Sequence, residues 1–439
     1  MKRFVKGLRA QAVAEGLTTF SLSSCHNSKT PIPSVFIGVD FIMNDSAVAQ
    51  RAVVELHTGF LAAIASLMAS WDEPEINMAS LPTSLAHARD ALRSELQSRR
   101  VHGVVGVVTE AMLGVGSVAF LDPLQLEPRL NRFRRHVIHL SPTLEQQFFV
   151  LAEYLRDAGV RAAHAVIRGE EAAAVAEVLR RSLVTFGGSL RSATLLASGD
   201  AVAGHLPEAG DVFVAGLAAG DVAAVARHVA LHDGVRVFVA FSEFVLLHAD
   251  FVAAFGGVDR VVFATSLPHW DDANSTSETA REFFAAVPNA TQRTPLALMG
   301  FAATQLLRTV LSRMDKVSAA LLTDFFYNNV AVTAKDMLYG SFFNGTACAA
   351  AVAGGAGCGK NYGATRISVW SLARALDPAV TPTMEYAKPA ARGLTRPQLI
   401  GTIVGGVVGG LLLVGVAALL LRFCRDSRDN ANAPKEPTD

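Results

Sequence analysis

Residues 211–241 read DVFVAGLAAGDVAAVARHVALHDGVRVFVAF. The two ends, DVFVAG (Asp211 to Gly216) and VRVFVAF (Val235 to Phe241), are short apolar runs rich in Val and Phe, the signature of strands covered on both faces. Between them, Asp221 to Leu231 carries apolar residues at helical spacing. Strand, helix and strand in succession make a parallel pair joined by a crossover.

The same unit recurs outward from this stretch. Upstream lie VFIGVD (Val35 to Asp40), a helical stretch from Ser46 to Ala69, helical periodicity from Ser84 to Ser98, and GVVGVV (Gly103 to Val108). A helix over Leu144 to Ala158 follows, then AHAVIR (Ala163 to Arg168) as a strand and a helix from Glu170 to Thr185 that stops at Gly187-Gly188. Downstream, RVVFAT (Arg260 to Thr265) is the next strand. The alternation predicts an α/β fold with parallel sheet and helices on both faces. The units are too many for one small sheet, so two lobes are expected. In such folds ligands meet the turns after the strands, here Thr109 and Glu110, Ser242 and Glu243, and the turn holding Ser266, Trp270 and Asp271.

The chain has 439 residues, 51% hydrophobic and 18% charged, with 39 basic against 39 acidic side chains. That balance excludes a disordered chain and leaves no electrostatic footprint for nucleic acid. Four cysteines are too few for a disulfide scaffold. Part of the apolar content sits in one place: LIGTIVGGVVGGLLLVGVAALLL, residues 399–421, is 23 residues without a charge. At about 1.5 Å per residue it covers roughly 35 Å, enough for one membrane-spanning helix. Gly401, Gly405 and Gly409, with Gly406 and Gly410, repeat every fourth residue, the spacing that lets two such helices pack closely. A homodimer or heterodimer through this span is therefore expected, with a Gly-rich unpartnered span as the alternative.

Basic residues flank both ends of the span, so charge alone does not orient it. Sequons at Asn44, Asn274, Asn289 and Asn344 favour an outside N-terminal part. Cys348 and Cys358 have nine residues between them in a Gly/Ala-rich stretch that a disulfide can close, two free thiols being the alternative. The resulting layout is an N-terminal segment 1–30 with little expected order and no visible secretory signal, an ectodomain 31–390, a stalk 391–398, the span 399–421 and a tail 422–439 bearing Cys424, open to acylation. GGAGCGKN (Gly354 to Asn361) approaches a phosphate-binding loop but puts Asn361 where the hydroxyl ligand belongs, and a closed loop is the simpler reading. His136 and His139 flank a Val-Ile pair that reads as strand, so their side chains diverge and no metal site is expected.

RVVFATSLPHWDDANSTSETAREFFAAVPNATQRTPLALMGF, with FFYNNVAVTAKDMLYGSF and NYGATRISVWSLARALDPAVTPTM, resembles the membrane-proximal ectodomain of kinetoplastid receptor-type adenylate cyclases. The matching residues are Trp270, Asp271, Asp336, Tyr339, Gly340, Phe342, Cys348, Cys358, Asn361, Gly363 and Arg366. The resemblance implies a two-lobed ectodomain similar to type I periplasmic binding proteins, a plasma-membrane location, a small-molecule ligand and an intracellular cyclase domain. Eighteen residues follow Leu421, too few for that domain, so a receptor-like chain without catalytic residues, cofactor or metal is expected. The alternatives are a fragment of a complete receptor cyclase, or a surface glycoprotein with a vestigial cleft. These 439 residues expressed alone should form no cyclic AMP; assay of the purified chain in detergent with ATP and Mn²⁺ checks this, turnover above a blank being the contrary result.

Overall fold

The computed structural model describes residues 34–41, 46–67, 76–98, 100–256, 259–329, 331–343 and 359–387. The first lobe begins with β1 (Ser34–Phe41), α1 (Ala47–Leu67), β2 (Ile76–Thr83), α2 (Ala88–Ser98), β3 (Gly103–Val108), α3 (Glu110–Leu113), β4 (Ala119–Gln125) and β5 (Val137–Ile138). Its sheet runs β2-β1-β3-β4-β5, parallel throughout. All six residues of β3 are buried, as a central strand covered on both faces requires. The Ser46 hydroxyl accepts from the Ala49 amide and starts α1. Ala49, Ala52, Val53, Leu56, Phe60 and Ala63 then form the buried stripe of that helix.

The second lobe holds α4 (Leu144–Asp157), β6 (Ala162–Arg168), α5 (Ala172–Thr185), β7 (Ser189–Leu196), β8 (Gly210–Ala215), α6 (Ala219–Leu231), β9 (Val235–Val239), α7 (Phe241–Leu246), α8 (His248–Phe255) and β10 (Val261–Thr265). Along β8, Val212 and Val214 face one apolar cluster while Phe213 and Ala215 face another, so helices cover both sides of the sheet. The chain then returns to the first lobe as α9 (Glu278–Ala286), α10 (Pro295–Leu311), α11 (Ala319–Asn328) and the hairpin β11 (Ala331–Ala334) and β12 (Met337–Gly340). It crosses once more to add β13 (Ile367–Ser371), α12 (Leu372–Leu376) and β14 (Met384–Ala387). The final order is β14-β13-β10-β9-β8-β6-β7, parallel except where β13 meets β10 and β14.

The returning helix α10 docks on α1 at two glycines. A Cβ on Gly59 would lie 1.8 Å from the Ala297 carbonyl oxygen, and one on Gly300 would lie 2.4 Å from that of Leu56. Both contacts are to backbone, which cannot move aside as a flexible side chain could. Arg51 on α1 also pairs with Asp250 on α8 at 2.7 Å.

The α/β alternation and the two lobes agree with the sequence reading. The strand from Val235 ends at Val239 rather than Phe241, because Phe241 opens α7, and the antiparallel pair β13 and β14 adds to the expected parallel sheet. Among the described residues no helix is long and apolar enough to cross a membrane. The expected span 399–421, the stalk, the tail, the 1–30 segment, Asn44, Asn344, Cys348 and Cys358 lie outside the described residues. Gly59→Ala and Gly300→Ala should each lower the melting temperature by roughly 5 °C or more, a cost of about 2–3 kcal/mol. Gly220→Ala, whose Cβ would meet nothing within 4 Å, should raise stability by about 0.5 kcal/mol. Calorimetry of the three variants checks both signs.

Candidate functional site

Each sheet has a point where its strand order reverses, and a crevice opens at the carboxyl ends of the strands there. In the first lobe it lies between β1 and β3, beside Thr109 and Glu110; in the second it lies between β6 and β8, beside Arg168 and Gly216. A cavity of about 100 Å³ is walled by Glu110, which opens α3 just after β3, by Gln125 at the end of β4, by Phe241 and Ser242 after β9, and by the segment joining β4 to β5.

The ionisable groups at this cavity are matched to one another. Burial opposes ionisation of Glu110, but hydrogen bonds and charge from Arg134 outweigh it and hold the carboxyl below its usual range. Gln125 donates to the other oxygen of Glu110 at 3.1 Å. Asp122, in a left-handed conformation at φ 48°, accepts from the Leu140 and Ser141 amides at 2.9 and 2.8 Å and from the Ser141 hydroxyl at 2.7 Å. These bonds tie the first crossover between the lobes to β4. Burial pushes the His139 imidazole below its ordinary value and the Asp122 charge offsets part of that shift, so His139 faces the cavity as a neutral ring.

The third crossover pairs with the first. The His139 amide donates to the Asn361 carbonyl at 2.8 Å and the Gly363 amide to the His139 carbonyl at 2.9 Å. Asn361 is fully buried, and its side chain accepts from Asn131 Nδ2 at 2.8 Å. Gly363 leaves room for Phe342, whose ring would lie 2.4 Å from a Cβ there. Asp336 accepts from the Thr279 amide and hydroxyl at 3.0 and 2.6 Å, fixing the start of α9.

Of the ligand residues expected from sequence, Glu110 and Ser242 line the cavity, and Ser266 lines a second small space of about 10 Å³ with Asp122 and Ser141. Thr109 instead caps α3 by accepting from the Met112 amide. Trp270 does not face the cavity: it is 2% exposed and packs at 5.5 Å from Trp370 and 5.1 Å from His269, because its large apolar ring is better buried than solvated. Asp271 is exposed and pairs with Arg293 at 3.4 Å. Asn274 and Asn289 are both exposed. His136 bonds the Leu113 carbonyl, away from His139. Among the described residues no cluster of His, Cys, Asp or Glu could hold a metal ion. The sequence reading missed Asp122, His139 as a cavity residue, and the Arg129 to Arg134 segment; a non-glycine residue with positive φ leaves no mark in a sequence.

Glu243 lies beneath the cavity wall. One carboxylate oxygen accepts from the Gly216 and Leu217 amides at the end of β8, while the other has no hydrogen-bond partner. Burial raises its pKa to about 7; the two amides and Arg168 oppose the rise and Asp221 adds to it. A folded-state pKa above the unfolded one means that the native state binds more protons between about pH 4.5 and 7. Stability from this group is therefore lost as pH rises through that window, on the order of 3 kcal/mol at most. Glu243→Gln should remove this component: the difference between wild-type and variant melting temperatures, measured from pH 5 to 8, should shift steadily in favour of the variant, and a constant difference would contradict it.

Comparison with known proteins gives one consistent family. Residues 32–392 match the model of the adenylate cyclase, periplasmic binding protein-like domain. Receptor-type adenylate cyclase GRESAG 4.3 of Trypanosoma brucei brucei is 37% identical over the whole chain, which covers 36% of that relative. A receptor-type adenylate cyclase of Trypanosoma congolense is 43% identical over 81% of this chain and 49% of its own length. The chain thus spans between about a third and a half of these relatives. Among solved structures, a branched-chain amino acid transporter protein from Thermus thermophilus with bound valine aligns with TM-score 0.61 at 13% identity, covering 82% of this chain and 97% of its own. A solute binding protein from R. palustris with 4-hydroxybenzoate aligns with TM-score 0.60 at 10% identity, covering 83% of this chain and all of its own. At these identities the likeness is one of fold.

Proposed function

Since the chain belongs to the adenylate cyclase, periplasmic binding protein-like family and resembles the ectodomain of receptor-type adenylate cyclases, we propose that it senses a small molecule in the cavity between its lobes. The observation that carries this reading is that residues at or just after strand ends of both sheets line one cavity, with polar and apolar groups together in its wall. Ligand contacts made from both sides favour the closed arrangement of the lobes, and a closed lobe pair differs from an open one in the spacing of its crossovers. The change passes through residues 391–398 to a single membrane-spanning helix at 399–421, with the N-terminal part outside the cell. The output is read by a cyclase catalytic domain, in a longer chain or in an associated relative, and residues 1–439 supply none of its chemistry.

Valine and 4-hydroxybenzoate, the ligands named for the two solved neighbours, are suitable first probes, together with neutral sugars and a dialysable cell extract. A ligand present at a hundred times its dissociation constant contributes about 2.7 kcal/mol, which raises the melting temperature by roughly 5 °C. Ser242→Phe fills the cavity from an already half-exposed position and should abolish that rise while leaving the ligand-free melting temperature near wild type. A rise of equal size in wild type and Ser242→Phe would place binding elsewhere.

A further inference from the structure

The segment joining β4 to β5 belongs to the first lobe by sequence and by both of its ends. Arg134 pairs with Glu110, and Arg135 pairs with Asp324 at 2.6 Å while its guanidinium lies 4.9 Å over the Tyr327 ring. Phe133 packs edge-on against Tyr327 and closely over Gly359. The middle of the segment, however, is bound to the second lobe. Arg129 reaches Glu170 at 3.0 Å and Glu171 at 3.6 Å, and Arg132 reaches Glu171 at 2.5 Å. The Leu130 amide donates to Glu171 at 3.4 Å, and the Asn131 amide to Glu145 on α4 at 2.6 Å. Leu130 itself packs against the core cluster of the second lobe.

We propose that residues 127–135 are a strap that latches the two lobes shut, with Arg129 and Arg132 against Glu170 and Glu171 as the latch. The proposal rests on the sensing role given above and describes how access to that same cavity is regulated. The side chains of Arg129 and Glu171 are 16% and 14% exposed, so that pair is shielded and holds more strongly than a solvated surface pair, whereas Glu170 and Arg132 are largely exposed and their pairs are open to solvent screening. The cavity of about 100 Å³, partly open to solvent, is smaller than the roughly 300 Å³ of ordinary ligand sites. The strap supplies much of its wall, so a ligand of that size enters only when the strap lifts from Glu170 and Glu171. Opposite charges on two lobes attract over the screening length of the solution, which makes the latch sensitive to salt.

Hydrogen exchange followed by mass spectrometry on the full chain in detergent, without ligand, tests this. Peptides covering residues 127–145 should exchange roughly fivefold faster or more in the Glu170→Gln, Glu171→Gln double variant, and wild type should accelerate between 0.05 and 0.5 M salt. Arg132→Glu should accelerate exchange more than Arg132→Leu, since it adds repulsion from Glu171 to the lost pair, an outcome that loss of packing does not produce. Peptides from residues 235–265 report whether a variant is folded, and the salt series on wild type stands independently of any variant. Exchange at 127–145 that is indifferent both to salt and to the neutralised pair, or Arg132→Glu no faster than Arg132→Leu, overturns the latch. The sensing role is judged separately by the Ser242→Phe melting comparison, so either can fail while the other stands.

Discussion

The crossing of α1 and α10 at Gly59 and Gly300 is the contact on which the rest depends. The chain leaves the second lobe at Thr265 and must return to the first before it can add the last strands of the second. The return is anchored by backbone lying against backbone, a carbonyl of each helix occupying the place where a side chain of the other would stand. Close approach of this kind gains dispersion contacts along both helices and tolerates no added volume. Once α10 is seated, α11 and the β11 and β12 hairpin follow on the first lobe, and the third crossover has to start from Gly340. The lobes are therefore connected three times, and the connections lie side by side because they begin and end on elements already packed.

Polar residues then fix the first and third connections against the first lobe and against each other. Asp122 holds the first connection by both backbone and hydroxyl, and the backbone of His139 pairs with that of Asn361 and Gly363 in the third. Buried polar groups of this sort are costly unless bonded, and bonded they admit one arrangement. The family residues Asp336, Phe342, Asn361 and Gly363 all serve this region or the start of α9 rather than the cavity. Their bonds and packing fix the crossovers between the lobes.

Charge has a similar character. The chain is neutral as a whole, and around the cavity it is neutral in detail, since Glu110, Asp122, Arg129 and Arg134 are each bonded to a partner in the chain. Carboxyls buried with one oxygen unbonded, Glu55, Glu145 and Glu243 among the described residues, are the exceptions, and their raised pKa values follow from that burial.

The sequence by itself determined the class of fold and the position of the strands β1, β3, β6, β8, β9 and β10, because a strand buried on both faces must be apolar throughout and a crossover helix must repeat its apolar residues every three or four positions. GVVGVV and the Asp211 to Phe241 unit satisfy those demands locally and needed no distant partner to be read. Strands β2, β4 and β7 were not legible: INMASLPT, AFLDPLQ and SLRSATLL mix Pro, Asp, Ser or Arg into the run, and they are strands because a neighbouring strand pairs with them. Glu110 and Ser242 could be placed at the cavity since the ends of strands face it in any sheet of this topology. Trp270 could not be excluded from it, for only packing against Trp370 and His269 shows which way the ring turns. The pairing of Arg129 and Arg132 with Glu170 and Glu171 joins residues about forty positions apart on different lobes. Tertiary structure alone decided that contact, because a charge in sequence has no direction until the backbone beneath it is fixed.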